Sequence, residues 1–348
     1  MDQTRVAIVG ATGYTGAELL RLLLGHRHVE VTLLSAREKL VPRVGDALPH
    51  LRGVCALPVE PFDPDRVAAA ADVAFCALPH GASAGCVRAL RQRGVTVLDL
   101  SADLRLRDPE EHRRWYGHDE APELRSEAVY GLPELHREAL RQAKLVAVPG
   151  CYPTASALPL LPLLHGALVR TDDVVVHALS GVSGAGRSPS ASTHFSETAE
   201  GVRPYKVAGV HRHTPELEQI LSFVAGARVM VTFTPTLVPM TRGILATVYL
   251  RPTGEVTAEA LVASARRYYE ASPSVVVLDP GALPDTLWVR GTNRALVSYA
   301  VDARSGRVLA FGALDNLVKG AAGQAVQCMN LLRGYDEAEG LGGAALFP

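Results

Sequence analysis

Cys151 stands in Val148-Pro149-Gly150-Cys151-Tyr152-Pro153-Thr154, between an apolar run over 144–148 and an apolar stretch of helical character over 155–164. A thiol on such a strand-to-helix turn meets the positive end of the helix, which favours thiolate and hence nucleophilic chemistry. The other cysteines lack this setting: Cys76 falls in a strand pattern, Cys86 and Cys328 in helical patterns, and Cys55 in a segment without a pattern. Those read as small buried apolar residues. On local pattern alone, Cys151 stands between nucleophile and structural residue. The segment Gly209-Val-His211-Arg-His213-Thr-Pro-Glu216 shifts the balance. Pro215 marks a helix start there. A histidine at that point can serve a thiolate in another loop as acid and base, with Glu216 orienting the ring. The residues themselves leave His211 and His213 open. The alternatives are a solvated loop or a metal pair; no third or fourth ligand has metal spacing, so no metal is expected.

A second signature is Gly10-Ala-Thr-Gly13-Tyr-Thr-Gly16, directly after the apolar run Val6–Val9 and before an amphipathic helix. The first glycine permits a tight turn, the second lets a phosphate approach the backbone, and the third lets helix and strand pack closely. The helix N-terminus favours the anion. Gly10, Thr12, Gly13, Tyr14, Thr15 and Gly16 are therefore candidate cofactor contacts. An NAD-preferring site carries Asp or Glu at the end of the second strand. Here that strand ends Leu34-Ser35-Ala36-Arg37. A hydroxyl and a guanidinium suit a 2′-phosphate, so Ser35 and Arg37 favour NADP.

The elements that must carry these groups can be read from the pattern. Apolar strands are expected over Arg5–Val9, Val29–Leu34, Asp72–Ala77, Val95–Leu100 and Lys144–Val148, with helices over Ala17–Leu24 and Ser83–Arg93. That alternation predicts a doubly wound parallel sheet, the α/β architecture of dinucleotide-binding domains. After Gly150 the strand-like runs Val174–Leu179, Arg228–Val238, Ile244–Leu250, Leu296–Val301 and Arg307–Phe311 predict a mixed, mainly antiparallel sheet covered by helices on one face. The last strong helix is expected from about Leu314 to Arg333.

The composition narrows the functional classes. The chain has 348 residues, 48% hydrophobic and 20% charged, with a formal net charge of −1. The length suggests two domains, and no basic excess points to nucleic acid. No apolar run approaches the ~18–20 residues that span a bilayer, so neither a membrane nor a signal peptide is expected. Five cysteines without a CxxC pair suit a reducing, cytoplasmic setting better than a disulfide framework.

The chain closely resembles the N-acetyl-γ-glutamyl-phosphate reductases of arginine biosynthesis, within the semialdehyde dehydrogenase group. Besides the glycine loop, Pro149–Thr154 and His211–Glu216, the likeness rests on Ala77-Leu-Pro-His-Gly81, Asp99-Leu-Ser-Ala-Asp-Leu-Arg105, Tyr130-Gly-Leu-Pro-Glu134, Ser180-Gly-Val-Ser-Gly-Ala-Gly-Arg187 and Asp315-Asn-Leu-Val-Lys-Gly320. The motifs occur in order over essentially the whole chain. The resemblance implies a Rossmann domain over 1–149, completed by a C-terminal helix within 315–348, and a catalytic and dimerisation α+β domain over 150–314. It implies NADPH-dependent reduction of an acyl phosphate to a semialdehyde by a homo-oligomer, dimer or tetramer. It makes Cys151 the nucleophile and favours His213 over His211 as acid/base. Pro79, Ser183, Gly184 and Asn316 would lie along the cofactor, and Arg105 and Lys206 would hold substrate anions. Reductases of a carrier-bound aminoadipate phosphate, in lysine biosynthesis, share most of these motifs; Tyr152-Pro153 after the cysteine resembles the arginine enzymes. Leu104 departs from the expected Phe, a conservative change. A different class, an NADP sensor without turnover, shares the glycine loop but has no need of the acid/base segment.

Overall fold

The computed structural model describes residues 3–38, 40–117 and 121–348. The chain divides into two compact units. One comprises Met1–Pro149 with Ala321–Gly342, the other Gly150–Gly320 with Gly343–Pro348.

The first unit is built on strands β1 (Thr4–Val9), β2 (Val29–Ser35), β3 (Val59–Glu60), β4 (Val73–Cys76), β5 (Thr96–Asp99), β6 (Val129–Tyr130) and β7 (Leu145–Ala147). They form a seven-stranded sheet in the order β3-β2-β1-β4-β5-β7-β6. Every pairing in it is parallel. Strand β4 is wholly buried and β1 nearly so, which is why both read as continuous apolar runs. The chain leaves β1 towards β2 and returns to its other side as β4, so the order reverses beside β1. The crevice at the carboxyl ends of strands at such a reversal is where α/β sheets bind ligands. The helix Gly323–Arg333 packs on Pro133–Arg141 and Tyr14–Leu23.

The second unit carries β8 (Val174–Ser180), β9 (Arg203–Pro204), β10 (Val231–Leu237), β11 (Ile244–Leu250), β12 (Val275–Val277), β13 (Ala295–Asp302) and β14 (Arg307–Leu314). Their order is β12-β13-β14-β11-β8-β10-β9. The pairs β12/β13 and β8/β10 are parallel; the others are antiparallel. Burial alternates residue by residue along β8 and β11, as expected for a sheet with helices on one face. The helix Cys151–Ala157 packs on that face against β8, β11 and β14.

The structure departs from the sequence expectations at three places. The apolar stretch 155–164 is two short helices, Cys151–Ala157 and Leu161–His165. Pro159 and Pro162 each remove a backbone donor there. The expected start of the last helix at Leu314 is the end of strand β14. Asp315 then accepts the N–H of Leu317 at 2.8 Å and of Val318 at 3.2 Å, a π-turn follows over Val318–Ala322, and the α-helix begins only at Gly323. Residues 321–342, rather than all of 315–348, belong to the first unit.

One contact fixes how the Cys151 helix sits. A Cβ at Gly312 of β14 would lie 2.2 Å from the Ala155 carbonyl oxygen. Replacement by alanine must push helix and sheet apart. Gly312→Ala is expected to lower stability by about 1–3 kcal/mol, the usual cost of overpacking. The urea midpoint should fall without a change in slope.

Candidate active site

In the first unit, β1 runs into Gly10, whose φ is +92°. The N–H groups of Gly10 and Ala11 both donate to the Ser35 carbonyl, at 2.8 and 3.0 Å. A Cβ at Gly10 would sit 2.3 Å from the Ala77 carbonyl, and one at Gly16 would sit 2.3 Å from the Gly10 carbonyl. Gly13 differs: a Cβ there would meet only the Gly10 carbonyl, at 3.7 Å. Two glycines thus close the loop on the protein, and the third leaves a backbone face open. Gly13 is the N-cap of Tyr14–Leu23, whose first turn carries no acidic residue. Thr12 and Thr15 are half-buried and Tyr14 is exposed. This donor set fits the pyrophosphate of a dinucleotide.

Positions 35–37, at the end of β2, carry no carboxylate. Arg37 is exposed, but Ser35 turns inward and its Oγ is buried without a hydrogen-bond partner. The expected hydroxyl-and-guanidinium pair is therefore reduced to the guanidinium, because Ser35 falls on the buried side of its strand. Pro79 is exposed in the loop after β4. Arg105, read as a substrate ligand, is only 6% exposed. Its Nε donates to the Val148 carbonyl at 2.7 Å and its Nη2 to the Leu100 carbonyl at 2.8 Å. Its guanidinium braces the strand end leading to Pro149 rather than facing solvent.

In the second unit, Cys151 is the first residue of its helix, and its side chain is partly exposed. The Gly150 N–H donates to Oε1 of Glu216 at 2.8 Å, and Glu216 is fully buried. The carboxylate expected to orient a histidine ring thus grips the turn that presents the cysteine. The histidines sit beside it. The rings of His211 and His213 are 5.0 Å apart, and lie 5.5 and 5.9 Å from the ring of Tyr152. Tyr205 and Phe233 complete an aromatic box around His211, at 5.4 and 5.3 Å.

The box determines the state of His211. Its Nδ1 accepts the His213 backbone N–H at 3.1 Å, which places the ring proton on Nε2. Burial pushes its pKa down to about 4, helped by the charges of Lys206 and Arg212. His211 is therefore neutral at physiological pH. The Tyr205 hydroxyl donates to that of Tyr152 at 3.1 Å. Burial raises both phenols, Tyr205 to about 12, so both remain protonated. Lys206 is exposed and held at a φ of +47°.

Ser183, Gly184 and Asn316 also come together here. Asn316 donates from Nδ2 to Ser183 Oγ at 2.9 Å and accepts the Gly243 N–H at 2.8 Å; a Cβ at Gly184 would lie 3.6 Å from Asn316 Nδ2. The box residues Tyr205 and Phe233 have no functional signature in the sequence: Tyr205 belongs to no spaced pattern, and Phe233 reads only as an apolar position of the run Arg228–Val238. In the sequence Gly320 is marked only as the end of the motif Asp315–Gly320. It touches Cys151: a Cβ there would lie 2.8 Å from that of the cysteine. Lys319 beside it is fully buried. Among the described residues no group of three or more His, Cys, Asp or Glu is arranged to hold a metal. No helix of the described residues is long and apolar enough to cross a membrane.

A parallel sheet with a glycine loop at its reversal, and a mixed sheet whose Cys151 turn carries Tyr152 against two histidine rings, fit an oxidoreductase with covalent chemistry. Comparison with known proteins agrees. A family model described as semialdehyde dehydrogenase, NAD binding domain, matches residues 5–143, and one described as semialdehyde dehydrogenase, dimerisation domain, matches 151–316. The chain belongs to the semialdehyde dehydrogenase family, a family of nicotinamide-dependent oxidoreductases. Among its relatives, the N-acetyl-γ-glutamyl-phosphate reductase of Desulforudis audaxviator is 50% identical over 345 residues, and that of Pelobacter propionicus 49% over 343; each alignment covers 99% of both chains. The fold matches aspartate semialdehyde dehydrogenase with NADP from Candida albicans, with a TM-score of 0.73, 17% identity, and coverage of 95% of this chain and 99% of that one. Aspartate semialdehyde dehydrogenase II from Vibrio cholerae gives 0.70 at 20% identity, covering 96% and 99%.

The lowered pKa of His211 has a consequence for stability. The folded chain disfavours its charged form, so the unfolded chain binds more protons between pH 6.5 and about 4, and stability falls as the pH drops through that window. His211→Asn, which keeps an acceptor near Nδ1, should give a flatter fall. Urea midpoints of the two proteins measured against pH would check this.

Proposed function

We propose that this chain reduces N-acetyl-γ-glutamyl phosphate with NADPH, giving N-acetyl-glutamate semialdehyde and phosphate, as a step of arginine biosynthesis. The observation that carries the reading is the meeting, within one unit, of Cys151, the carboxylate that fixes its turn and two histidines in an aromatic box. The full-length likeness to reductases of that name supplies the substrate. Tyr152-Pro153 after the cysteine favours the arginine substrate over a carrier-bound aminoadipate phosphate.

The Cys151 thiolate attacks the acyl carbonyl, the bond to phosphate breaks, phosphate leaves, and a thioester to Cys151 remains. Backbone N–H groups at the start of the Cys151–Ala157 helix stabilise the oxyanion. Gly10, Thr12, Gly13, Tyr14, Thr15 and Gly16 would hold NADPH, and Pro79, Ser183, Gly184 and Asn316 are the further candidate contacts; the bound cofactor would supply the hydride that brings the acyl carbon to the aldehyde level. His213 takes the thiol proton as the thiolate forms and returns a proton to sulfur when the reduced adduct releases the aldehyde. His211, neutral and already accepting a hydrogen bond through Nδ1, braces the His213 backbone. Glu216 positions Cys151 through Gly150. Lys206 offers its charge to the substrate's phosphate or carboxylate.

Preference for NADP rests on Arg37, which stands exposed where an NAD site would carry a carboxylate. The oligomer is a dimer or tetramer formed through the second sheet's face opposite the Cys151–Ala157 helix, where Val175, Leu179 and Tyr249 are half-buried. The matched dimerisation-domain model supports this reading. The five free thiols suit a reducing cytoplasm.

Assayed with NADP and phosphate, the protein should oxidise N-acetyl-glutamate semialdehyde in preference to other semialdehydes. Cys151→Ser should lower that turnover by about a thousandfold or more, the scale on which removal of a nucleophile acts. Near-normal turnover would rule out the covalent route. Arg37→Ala should weaken NADPH binding by about ten-fold, the loss of one charge-assisted contact, and leave NADH binding nearly unaltered. Equal losses for both cofactors would remove Arg37 from the 2′-phosphate.

A further inference from the structure

Two buried carboxylates in the first unit take no part in the chemistry above. Asp99 ends β5, and Asp103 follows in the turn after it. Asp103 accepts the N–H of Gly81 at 2.8 Å through Oδ1, and those of Ser83 at 3.2 Å and Ala84 at 3.1 Å through Oδ2. Asp99 accepts the Ser83 hydroxyl at 2.6 Å, the Ser101 hydroxyl at 2.7 Å and the Ser101 N–H at 3.1 Å. His80 joins them, its Nδ1 accepting the Ala102 N–H at 2.9 Å. Ser83, Asp99 and Ser101 are fully buried and Asp103 nearly so. The segment 99–103 therefore grips the loop between β4 and the helix Ala84–Arg91 at His80, Gly81, Ser83 and Ala84. The same loop begins at Ala77, whose carbonyl packs against Gly10 and whose N–H donates to the Val9 carbonyl at 2.8 Å.

Burying two carboxylates beside an anion-binding crevice is unfavourable unless they are compensated. The compensation here is the N-terminus of Ala84–Arg91, whose first N–H groups Asp103 fills. Two helix N-termini follow β1 and β4, those of Tyr14–Leu23 and Ala84–Arg91. One is closed by a side chain, and the other, at Gly13, is open. We propose that Asp103, supported by Asp99 through Ser83 and Ser101, is a positioning residue for the dinucleotide. It closes the second helix N-terminus to phosphate and sets the β4 loop at Pro79 to Gly81 against the glycine loop. The proposal rests on the reading of Gly10–Gly16 and Pro79 as the NADPH site.

The test compares wild type with Asp103→Asn and Ser83→Ala, each checked for folding by circular dichroism and thermal melting. NADPH dissociation constants come from nucleotide fluorescence, and KM and kcat from the forward assay. Asp103→Asn should raise the dissociation constant and KM for NADPH about ten-fold, the scale of a lost charged hydrogen bond, while kcat at saturating NADPH stays within about two-fold. Ser83→Ala, which removes only the tie to Asp99, should raise both about three-fold, as for one ordinary hydrogen bond. A merely structural role would lower the melting temperature and leave the KM of the folded protein unchanged. That result in a folded Asp103→Asn overturns the proposal. Should Asp103→Asn fail to fold, Ser83→Ala decides: unchanged NADPH affinity overturns it, and weakened affinity supports it. Wild-type protein that binds no NADPH would overturn the cofactor reading itself, a result separate from any effect of the variants.

Discussion

The second unit's chemistry depends on one hydrogen bond, from the Gly150 N–H to the buried carboxylate of Glu216. Gly150 precedes the cysteine, and Glu216 lies in the first turn of the helix that His213 caps. One carboxylate thus fastens the two segments that carry Cys151 and His213, 62 positions apart in the chain. The bond is 2.8 Å long and excluded from water, where a charge-assisted hydrogen bond is strongest and its loss most costly. The aromatic box works around that fixed point. It dries His211, keeps it neutral and makes it a brace for its neighbour.

The first unit obeys a different constraint, the closeness of backbones. Gly10 and Gly16 are glycines because carbonyl oxygens occupy the space of a side chain, and Gly13 is one because that space is open. The spacing of the three glycines already separates these reasons, and the structure adds the atoms that each one meets: the Ala77 carbonyl at Gly10, the Gly10 carbonyl at Gly16, and open space at Gly13.

Much of the fold was legible because periodicity reports burial. The wholly buried β4 reads as the continuous apolar run that its environment demands; β8 and β11 read as apolar runs too, and their alternating burial is not written in residue type. The two-residue edge strands β3, β6 and β9 were not legible, since two residues cannot show a period. The split of 155–164 was missed although Pro159 and Pro162 stand in it, because the apolar pattern runs on through both. At the site, residue type indicated Cys151 and the two histidines. It did not show that the side chains of Arg105 and Ser35 are buried. Nothing in a composition or a spacing tells whether a guanidinium serves a ligand or two backbone carbonyls. Glu216 was found for its charge, but its partner, a backbone N–H across 66 positions, has no sequence signature.

The division of the chain also bears on how the molecule is made. The second unit is continuous from Gly150 to Gly320, whereas the first receives its last helix from Gly323–Arg333. During synthesis on the ribosome, the residues of the first sheet emerge earliest and wait for that helix through the translation of the entire second unit. Until then the surfaces of Tyr14–Leu23 and Pro133–Arg141 that the helix covers lie bare. The half that is begun first is therefore finished after the central body of the other, and an apolar face left bare in that interval is open to wrong contacts.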